Sequence, residues 1–331
     1  MDIRNIRELK NTAFQRLAEA RDGKKILLTY SLISILSALL VTVITYCLNI
    51  QVNQLGGLGN MGTRSILTTV SSVLPMVLNL ALMCLELGFI AAMIRIGRGM
   101  YTSVQTLRAG MPRFWVMLRA NLLLYAILFA MTVGAFYLAT LIFALLPASN
   151  ALMELMLPLV TAADPAAAVL EAGLDGQMME ALIPLGIIFM LTSLVMVLPV
   201  SYQYRMTNYV LLHNPRAGAR YALRESSKMM RRNRLALFKI DLSLWWFYAV
   251  SILATAVCYG EELLTMVGIA VSLPDWASYF LFYALFLAIT FASNMLLKGR
   301  VGVVYAMFFD AVRPREEENT NGVVLGNIFR M

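Results

Sequence analysis

Ile26-Leu27-Leu28-Thr29-Tyr30-Ser31-Leu32-Ile33-Ser34-Ile35-Leu36-Ser37-Ala38-Leu39-Leu40-Val41-Thr42-Val43-Ile44-Thr45-Tyr46-Cys47-Leu48-Asn49-Ile50 runs for 25 residues without a charge. About 20 apolar residues at ~1.5 Å each cross the ~30 Å hydrocarbon core of a bilayer. The stretch is long enough to span and too long for the core of a cleavable signal peptide. Its apolar positions are continuous rather than alternating. In lipid that means a helix, because only helices and closed barrels satisfy their own backbone there.

Five further runs follow: 66–94, 114–146, 181–204, 235–260 and 276–297. The runs 66–94 and 114–146 exceed the length a bilayer needs and are expected to tilt or project. Composition agrees with this pattern. The chain has 331 residues, 60% apolar and only 14% charged, with a mean hydropathy of +0.72. Soluble chains are about half apolar and a quarter charged. These values exclude a soluble globule, a disordered chain, collagen, a coiled coil and a disulfide-stapled secreted domain. The expected fold is all-α: a polytopic membrane protein of six transmembrane helices. It forms one integral membrane domain over 1–314, with an amphipathic arm at 1–25 and a tail at 315–331.

The net charge is +8, and its placement sets orientation. In the six-span scheme, 26 of the 27 Lys and Arg residues fall on one side. The loops 147–180 and 261–275 on the other side carry acids and no base. Basic loops stay cytoplasmic, so both termini are expected inside, in a bacterial plasma membrane.

Each outward-going span follows an amphipathic segment. In the arm, Ile3, Ile6, Leu9, Ala13, Phe14, Leu17 and Ala20 share one arc at 100° per residue. Met100, Tyr101, Val104, Leu107 and Met111 do so before the third span, where Pro112 suits a new helix's first turn. Before the fifth span, a helix from Pro215 to Arg234 would place Arg216, Arg220, Arg224, Lys228, Arg231, Arg232 and Arg234 on one face. Ala219, Ala222, Leu223, Met229 and Met230 then lie on the other. Such a helix is expected in the interface plane, apolar face into the acyl boundary or onto the bundle, with Arg216, Arg220, Arg224, Lys228 and Arg231 contacting anionic headgroups. An ordinary positive-inside flank is the competing reading. Leu152, Leu155, Met156 and Leu159 suggest a further helix on the outer surface. Nucleic acid is not an expected partner, since Tyr221 is the one aromatic residue available for stacking.

Motifs for chemistry are lacking. There is no phosphate-binding loop, no H-E-x-x-H and no G-x-S-x-G. The single histidine, His213, has no nucleophile at a useful spacing and reads as a helix-end residue. Asp164, Glu171 and Asp175 read as a solvated outer loop rather than a cation site. Cys47, Cys84 and Cys258 read as small buried hydrophobes, with a Cys47–Cys258 bridge left open. No catalytic residue, metal or cofactor is expected.

Ionisable groups inside spans are more informative, because each costs at least ~2.5–3.5 kcal/mol to insert. Glu86 lies well inside the second run. Asp241 lies about a turn into the fifth, beside Lys239. Arg119 and Asn121 lie at similar depth in the third, the arginine snorkelling to the headgroups. Glu86, Asp241, Arg205 and Asn121 form the candidate intramembrane polar site. Glu86 is expected to pair with Arg205 or another inner base, to be a substrate or proton site, or to stay a neutral carboxyl.

The stretch 199–247 carries a family resemblance. It holds a Tyr-rich span end (Tyr202, Tyr204, Tyr209), then Ala222-Leu223-x-x-Ser226-x-x-Met229, then Phe238-Lys239-Ile240-Asp241-Leu242-Ser243. With Arg7-Glu8-Leu9-Lys10 in the arm, it resembles the bacterial integral-membrane family catalogued as domain of unknown function 975. Arg232 stands where that family has Gly, Trp246-Phe247 where it has Gly-Trp, and Gly299-Arg300 where it has Pro-Tyr. Phe308-Phe309 stand for its closing Phe-Tyr. The resemblance implies a polytopic membrane protein and no site residues.

The expected function is non-enzymatic: inner-leaflet lipid or envelope homeostasis, or a scaffold for membrane-protein partners. The alternative is a transporter or channel, suggested by Glu86, Asp241 and the helix breakers Pro184 and Pro199. A polar cavity reaching the bilayer midplane and touching Glu86 would favour transport. Dry packing there would favour a scaffold.

Overall fold

A computed structural model describes residues 5–54, 61–161, 176–214, 216–266 and 274–313. The expected positions Ile3, Asp164, Glu171, Asp175, Pro215 and 315–331 lie outside them, as do the side chains of Leu155, Met156 and Leu159.

The described secondary structure is all helical. The arm is α1 (Ile6–Glu19), started by Asn5, whose Oδ1 accepts from the Glu8 N–H at 3.3 Å. Such a side-chain cap satisfies one of the donors a helix start leaves open. Then come α2 (Gly23–Gln54) and α3 (Met61–Gly97). The C-terminus of α3 closes through Gly99 at φ +70°, with Met100 N–H on Arg95 O and Gly99 N–H on Ile96 O. Glycine tolerates that left-handed turn. A 3-10 segment, Val104–Arg113, leads into α4 (Phe114–Ala144) and α5 (Pro147–Thr161). After these come α6 (Gly176–Tyr204), α7 (Thr207–His213), α8 (Ala219–Met230), α9 (Arg234–Ser243) and α10 (Trp245–Cys258). The last are α11 (Gly260–Met266), α12 (Asp275–Ser293), a π-turn (Asn294–Lys298) and α13 (Gly299–Val312).

Five stretches are long and apolar enough to cross a membrane: Gly23–Val52, Ser65–Gly97, Val104–Ala144, Leu182–His213 and Ala277–Val312. A sixth arises if α9 and α10, bent by 65°, form one broken span. This fits a multi-pass membrane protein.

Several expectations need correction. The fifth run is not one helix. It breaks at Leu244, where neither Pro nor Gly occurs. Lys10 Nζ, from α1, donates to the freed Ser243 carbonyl at 3.3 Å. The sixth run does not end at 297, since helix continues through α13. Pro184 and Pro199 do not break α6, which holds both internally. The break falls at Arg205-Met206 instead. There Ser226 Oγ donates to Gln203 O at 3.1 Å and Thr207 Oγ1 to Tyr204 O at 2.7 Å. Side chains thus replace the lost backbone bonds. The three cysteines form no disulfide.

The amphipathic segments are docked on protein rather than laid in an acyl boundary. In α1, Leu9 and Ala13 are buried against α3 and α13. In α8, Ala222, Leu223, Ser226, Met229 and Met230 are buried against α4, α6 and α7. This is why the family-like Ala-Leu-x-x-Ser-x-x-Met pattern has its spacing. Helix α8 spans only Ala219–Met230, so Arg216 lies before it and Arg231, Arg232 and Arg234 beyond it, off the wheel expected for one helix from Pro215 to Arg234.

The segment before the third span is misjudged in period. A 3-10 helix repeats every three residues. Leu107 and Gly110 are therefore buried while Met111 is exposed; Met100 and Tyr101, also exposed, lie before this segment. Gly110 and Gly88 permit the contact with α3. A Cβ on Gly88 would lie 1.9 Å from Leu107 O, and one on Gly110 2.2 Å from Cys84 O.

The core sits at the basic end. It joins Leu9, Ile26, Leu87, Met93, Met117, Met206, Met230, Leu237, Val304 and Phe308, among others. Helix α3 has 37 residues, about 55 Å at 1.5 Å each. Twenty residues from Ser65 reach Cys84, so the stretch beyond it exceeds what the bilayer needs. Glu86 lies within the apolar stretch Ser65–Gly97, at the junction with the residues from Leu87 on that the basic-end core buries.

Candidate functional site

Four helical stripes converge on one space at that junction. On α3 they are Glu86, Phe89, Ile90 and Met93. On α4 they are Asn121, Leu124 and Leu128. Across the α6–α7 break they are Ser201, Tyr204, Arg205 and Asn208. Along the π-turn and α13 they are Lys298, Val301, Gly302 and Tyr305. Each set follows the i, i+3, i+4, i+7 spacing of one helix face. They enclose a cavity of about 490 Å³ that Phe247 of α10 also lines. That volume lies within the range of small-molecule sites. Gly302 brings α13 close to α3, since a Cβ there would lie 2.8 Å from Met93 Cγ.

One pole of the cavity is an ion pair. Lys298 Nζ lies 3.0 Å from Glu86 Oε2. The Tyr30 hydroxyl, from α2, donates to the same Oε2 at 2.5 Å and accepts from Lys298 Nζ at 2.5 Å. The ammonium lies 4.4 Å from the centre of the Tyr30 ring, beside its hydroxyl rather than over its face. Of the expected partners, Arg205 or another base, it is another base that pairs with Glu86 and not Arg205. Lys298 takes that place because the last helix carries on past residue 297 and returns its lysine to the bundle.

The other pole centres on Asp241. Tyr202 donates to its Oδ2 at 2.6 Å, and Tyr305 donates to its Oδ1. The Tyr305 and Tyr248 hydroxyls are 2.7 Å apart. Arg205 Nη2 donates to them at 3.3 and 3.4 Å, and its guanidinium stands over the Tyr305 ring at 5.3 Å. Lys298 and Tyr305 are seven residues apart, so the poles are separated by about 10 Å along the helix.

Of the four expected polar residues, Glu86, Asn121 and Arg205 line the cavity, and Asp241 stands behind its Tyr305 wall. Asn121 Nδ2 donates to Met117 O at 3.1 Å and lies 3.3 Å from Met83 Sδ. Arg216, Arg220, Arg224, Lys228 and Arg231 do not approach this site. They are exposed on and around α8, with Lys228 3.4 Å from Glu225. His213 is also elsewhere, buried beside Phe309 and Arg313. Among the described residues no cluster of three potential metal ligands occurs.

Lys298, Tyr30, Tyr248 and Tyr305 do not stand out from the sequence, and Tyr202 does so only as part of the family-like Tyr-rich span end. A signal existed for part of this: Lys298, Val301, Gly302 and Tyr305 repeat at helical spacing just past the last apolar run.

The model of the family described as "Protein of unknown function (DUF975)" matches residues 1–315. The chain belongs to this family. Among curated proteins and among solved structures, nothing matches. Within this DUF975 chain, the Tyr-rich span end and the Phe238–Ser243 entry meet at the second pole, through Tyr202 and Asp241.

Proposed function

We propose that this chain is a non-enzymatic protein of the bacterial plasma membrane that binds a lipid or other small amphiphile at the inner leaflet. The observation that carries the reading is the cavity itself. It places an ion pair, an arginine and several hydroxyls beside Phe89, Ile90, Leu124, Leu128 and Phe247. Apolar walls with few oriented polar groups are the usual form of a binding site. Ser201, the serine in its wall, donates to Leu198 O at 2.8 Å rather than to a base.

The basic end and both termini face the cytoplasm in this reading, supported by the one-sided distribution of Lys and Arg. Reporter fusions after Gly59 and Asp164 then report outside, and fusions after Gly110 and Arg232 inside. One reversed location removes the scheme. Arg216, Arg220, Arg224, Lys228 and Arg231 face anionic headgroups, each base adding about 1 kcal/mol near such a surface. Because the apolar face of α8 is buried on the bundle, this contact is electrostatic and weakens with salt.

Photoactivatable lipids test the binding role. Crosslinks are expected at Phe89, Leu124, Leu128 or Phe247. Crosslinks confined to outward-facing Leu122, Phe129 and Leu141 would sink it. A transport reading stands second. It is favoured by two helix breaks beside the cavity, at Arg205-Met206 and at Leu244. Accelerated exchange of a fluorescent lipid between the leaflets of reconstituted vesicles would move the assignment to transport.

A further inference from the structure

We propose that the cavity selects amphiphiles with an oxyanion head, phosphate above all, and that Arg205 is the group that receives it. The inference rests on the binding role above and names its ligand class.

The two cavity cations differ in how their charge is met. Lys298 is matched by Glu86 at 3.0 Å and by the Tyr30 hydroxyl. Arg205 is in no ion pair among the described residues. Its partners there are two neutral hydroxyls at 3.3 and 3.4 Å, both through Nη2. The nearby carboxylate, Asp241, is held by Tyr202 and Tyr305. Arg205 therefore feels it only across a hydroxyl. A guanidinium has five N–H donors in a planar fork that matches carboxylate and phosphate oxygens.

The surroundings suit the rest of such a ligand. Asn208, three residues on in the same wall, has an Oδ1 that is buried without a partner. Turned over, its amide presents NH2 to an oxyanion, and either orientation is open to an amide. Phe89, Leu124, Leu128 and Phe247 then face the chain attached to the head. Tyr305, within the second pole, is bonded to Asp241 behind and Arg205 in front. An anion drawing Arg205 away from it leaves the Tyr305–Asp241 bond in place.

The test uses the purified full-length chain in a non-ionic detergent, with its melting temperature as readout. Probes are dioleoyl phosphatidylglycerol, dioleoylglycerol, which has the same chains and no phosphate, and inorganic phosphate. Phosphatidylglycerol is expected to raise Tm at concentrations where dioleoylglycerol does not. Arg205→Gln should raise the concentration needed by about tenfold or more, the size of a lost charge-assisted contact. Arg205→Lys should keep part of the effect, which separates lost charge from lost fold. Leu128→Trp, which intrudes on the apolar side of the cavity, should abolish it.

Equal shifts with both lipids, lost in Leu128→Trp but kept in Arg205→Gln, overturn the oxyanion inference while leaving the binding role intact. A shift that survives Leu128→Trp overturns both. A shift lost in Arg224→Gln but not in Arg205→Gln places the lipid on the α8 surface and overturns the inference. Inorganic phosphate matching phosphatidylglycerol, with the same Arg205 dependence, shows a site for the free anion and overturns the amphiphile assignment.

Discussion

From Ser65 to Leu80 no residue of α3 with a described side chain is buried, whereas eight of the ten from Leu87 to Ile96 are. Helix α2 divides the same way. Ile26, Leu27, Tyr30 and Ser31 are buried at its basic end, and no residue between them and Val52 is. One helix can thus belong to two regimes. Where it meets lipid, apolar side chains gain nothing by turning inward, so helices touch through small residues and a few hydrogen bonds. Ala135 and Ala139 are buried on α4 towards α6, where Thr192 Oγ1 reaches Ala135 O at 3.2 Å. At the basic end, α1, the 3-10 segment, α7, α8 and α13 wrap the same helices. Removing apolar surface from water drives packing there as in a soluble core. The cavity lies where the regimes meet, with charged groups at its poles and apolar side chains in its walls.

The sharpest way to break this comparison is a pair of glycines. Gly88→Val should prevent docking of the 3-10 segment, because the clash is with backbone that cannot rotate away. A loss of about 3 kcal/mol or more, or of folded protein altogether, is expected. Gly186→Ala, with nothing within 4 Å of the new Cβ, should not lower the melting temperature. Equal losses for both would show that the two regimes are not distinct.

A pair of phenylalanines comes next. Phe308 is 0% exposed and Phe129 is 71% exposed. Phe308→Ala should cost about 3–5 kcal/mol in denaturant titration of the detergent-solubilised protein. Phe129→Ala should stay within about 0.5 kcal/mol.

The ion pair tying α3 to α13 should give a smaller effect. Arg98 Nε lies 2.8 Å from Asp310 Oδ2 and Nη2 2.5 Å from Oδ1. Arg98→Ala should cost about 1.5–3 kcal/mol. In a double-mutant cycle with Asp310→Ala, additive losses would show no coupling between the two charges.

The weakest link tested is in the outer half. Thr42 Oγ1 donates to the Tyr283 hydroxyl at 2.7 Å, joining α2 to α12. Thr42→Val should cost about 0.6 kcal/mol, the mean for hydrogen bonds between membrane helices. A loss of several kcal/mol would mean that the outer half depends on its hydrogen bonds far more than the packing suggests.

Much of the site was legible in part. Glu86, Asp241, Arg205 and Asn121 stand out because ionisable or amide groups in apolar runs need partners. The partners do not stand out. Tyr30, Tyr202 and Tyr305 look like ordinary interfacial tyrosines, and Lys298 looks like the first base of a tail. Pairing Glu86 with Lys298 joins residues 212 positions apart, a distance that no local period encodes. The amphipathic segments were legible as two-faced, but a two-faced helix is equally at home on a membrane and on a protein. Only the 3-10 period of Val104–Arg113 and the glycines opposite it decide what that segment covers.

By itself the sequence determined the all-α class, the long apolar helices and the residues that lipid would not accept bare. Those follow from local composition: hydrocarbon demands about 20 apolar residues per crossing and helical backbone within it. Tertiary structure decided where α6 and the α9–α10 pair break, because side chains from distant helices, Ser226 and Lys10, take up the freed carbonyls. It also decided that Lys298 and not Arg205 meets Glu86, since helix length past the bilayer and the close approach of α13 at Gly302 bring that lysine back to α3.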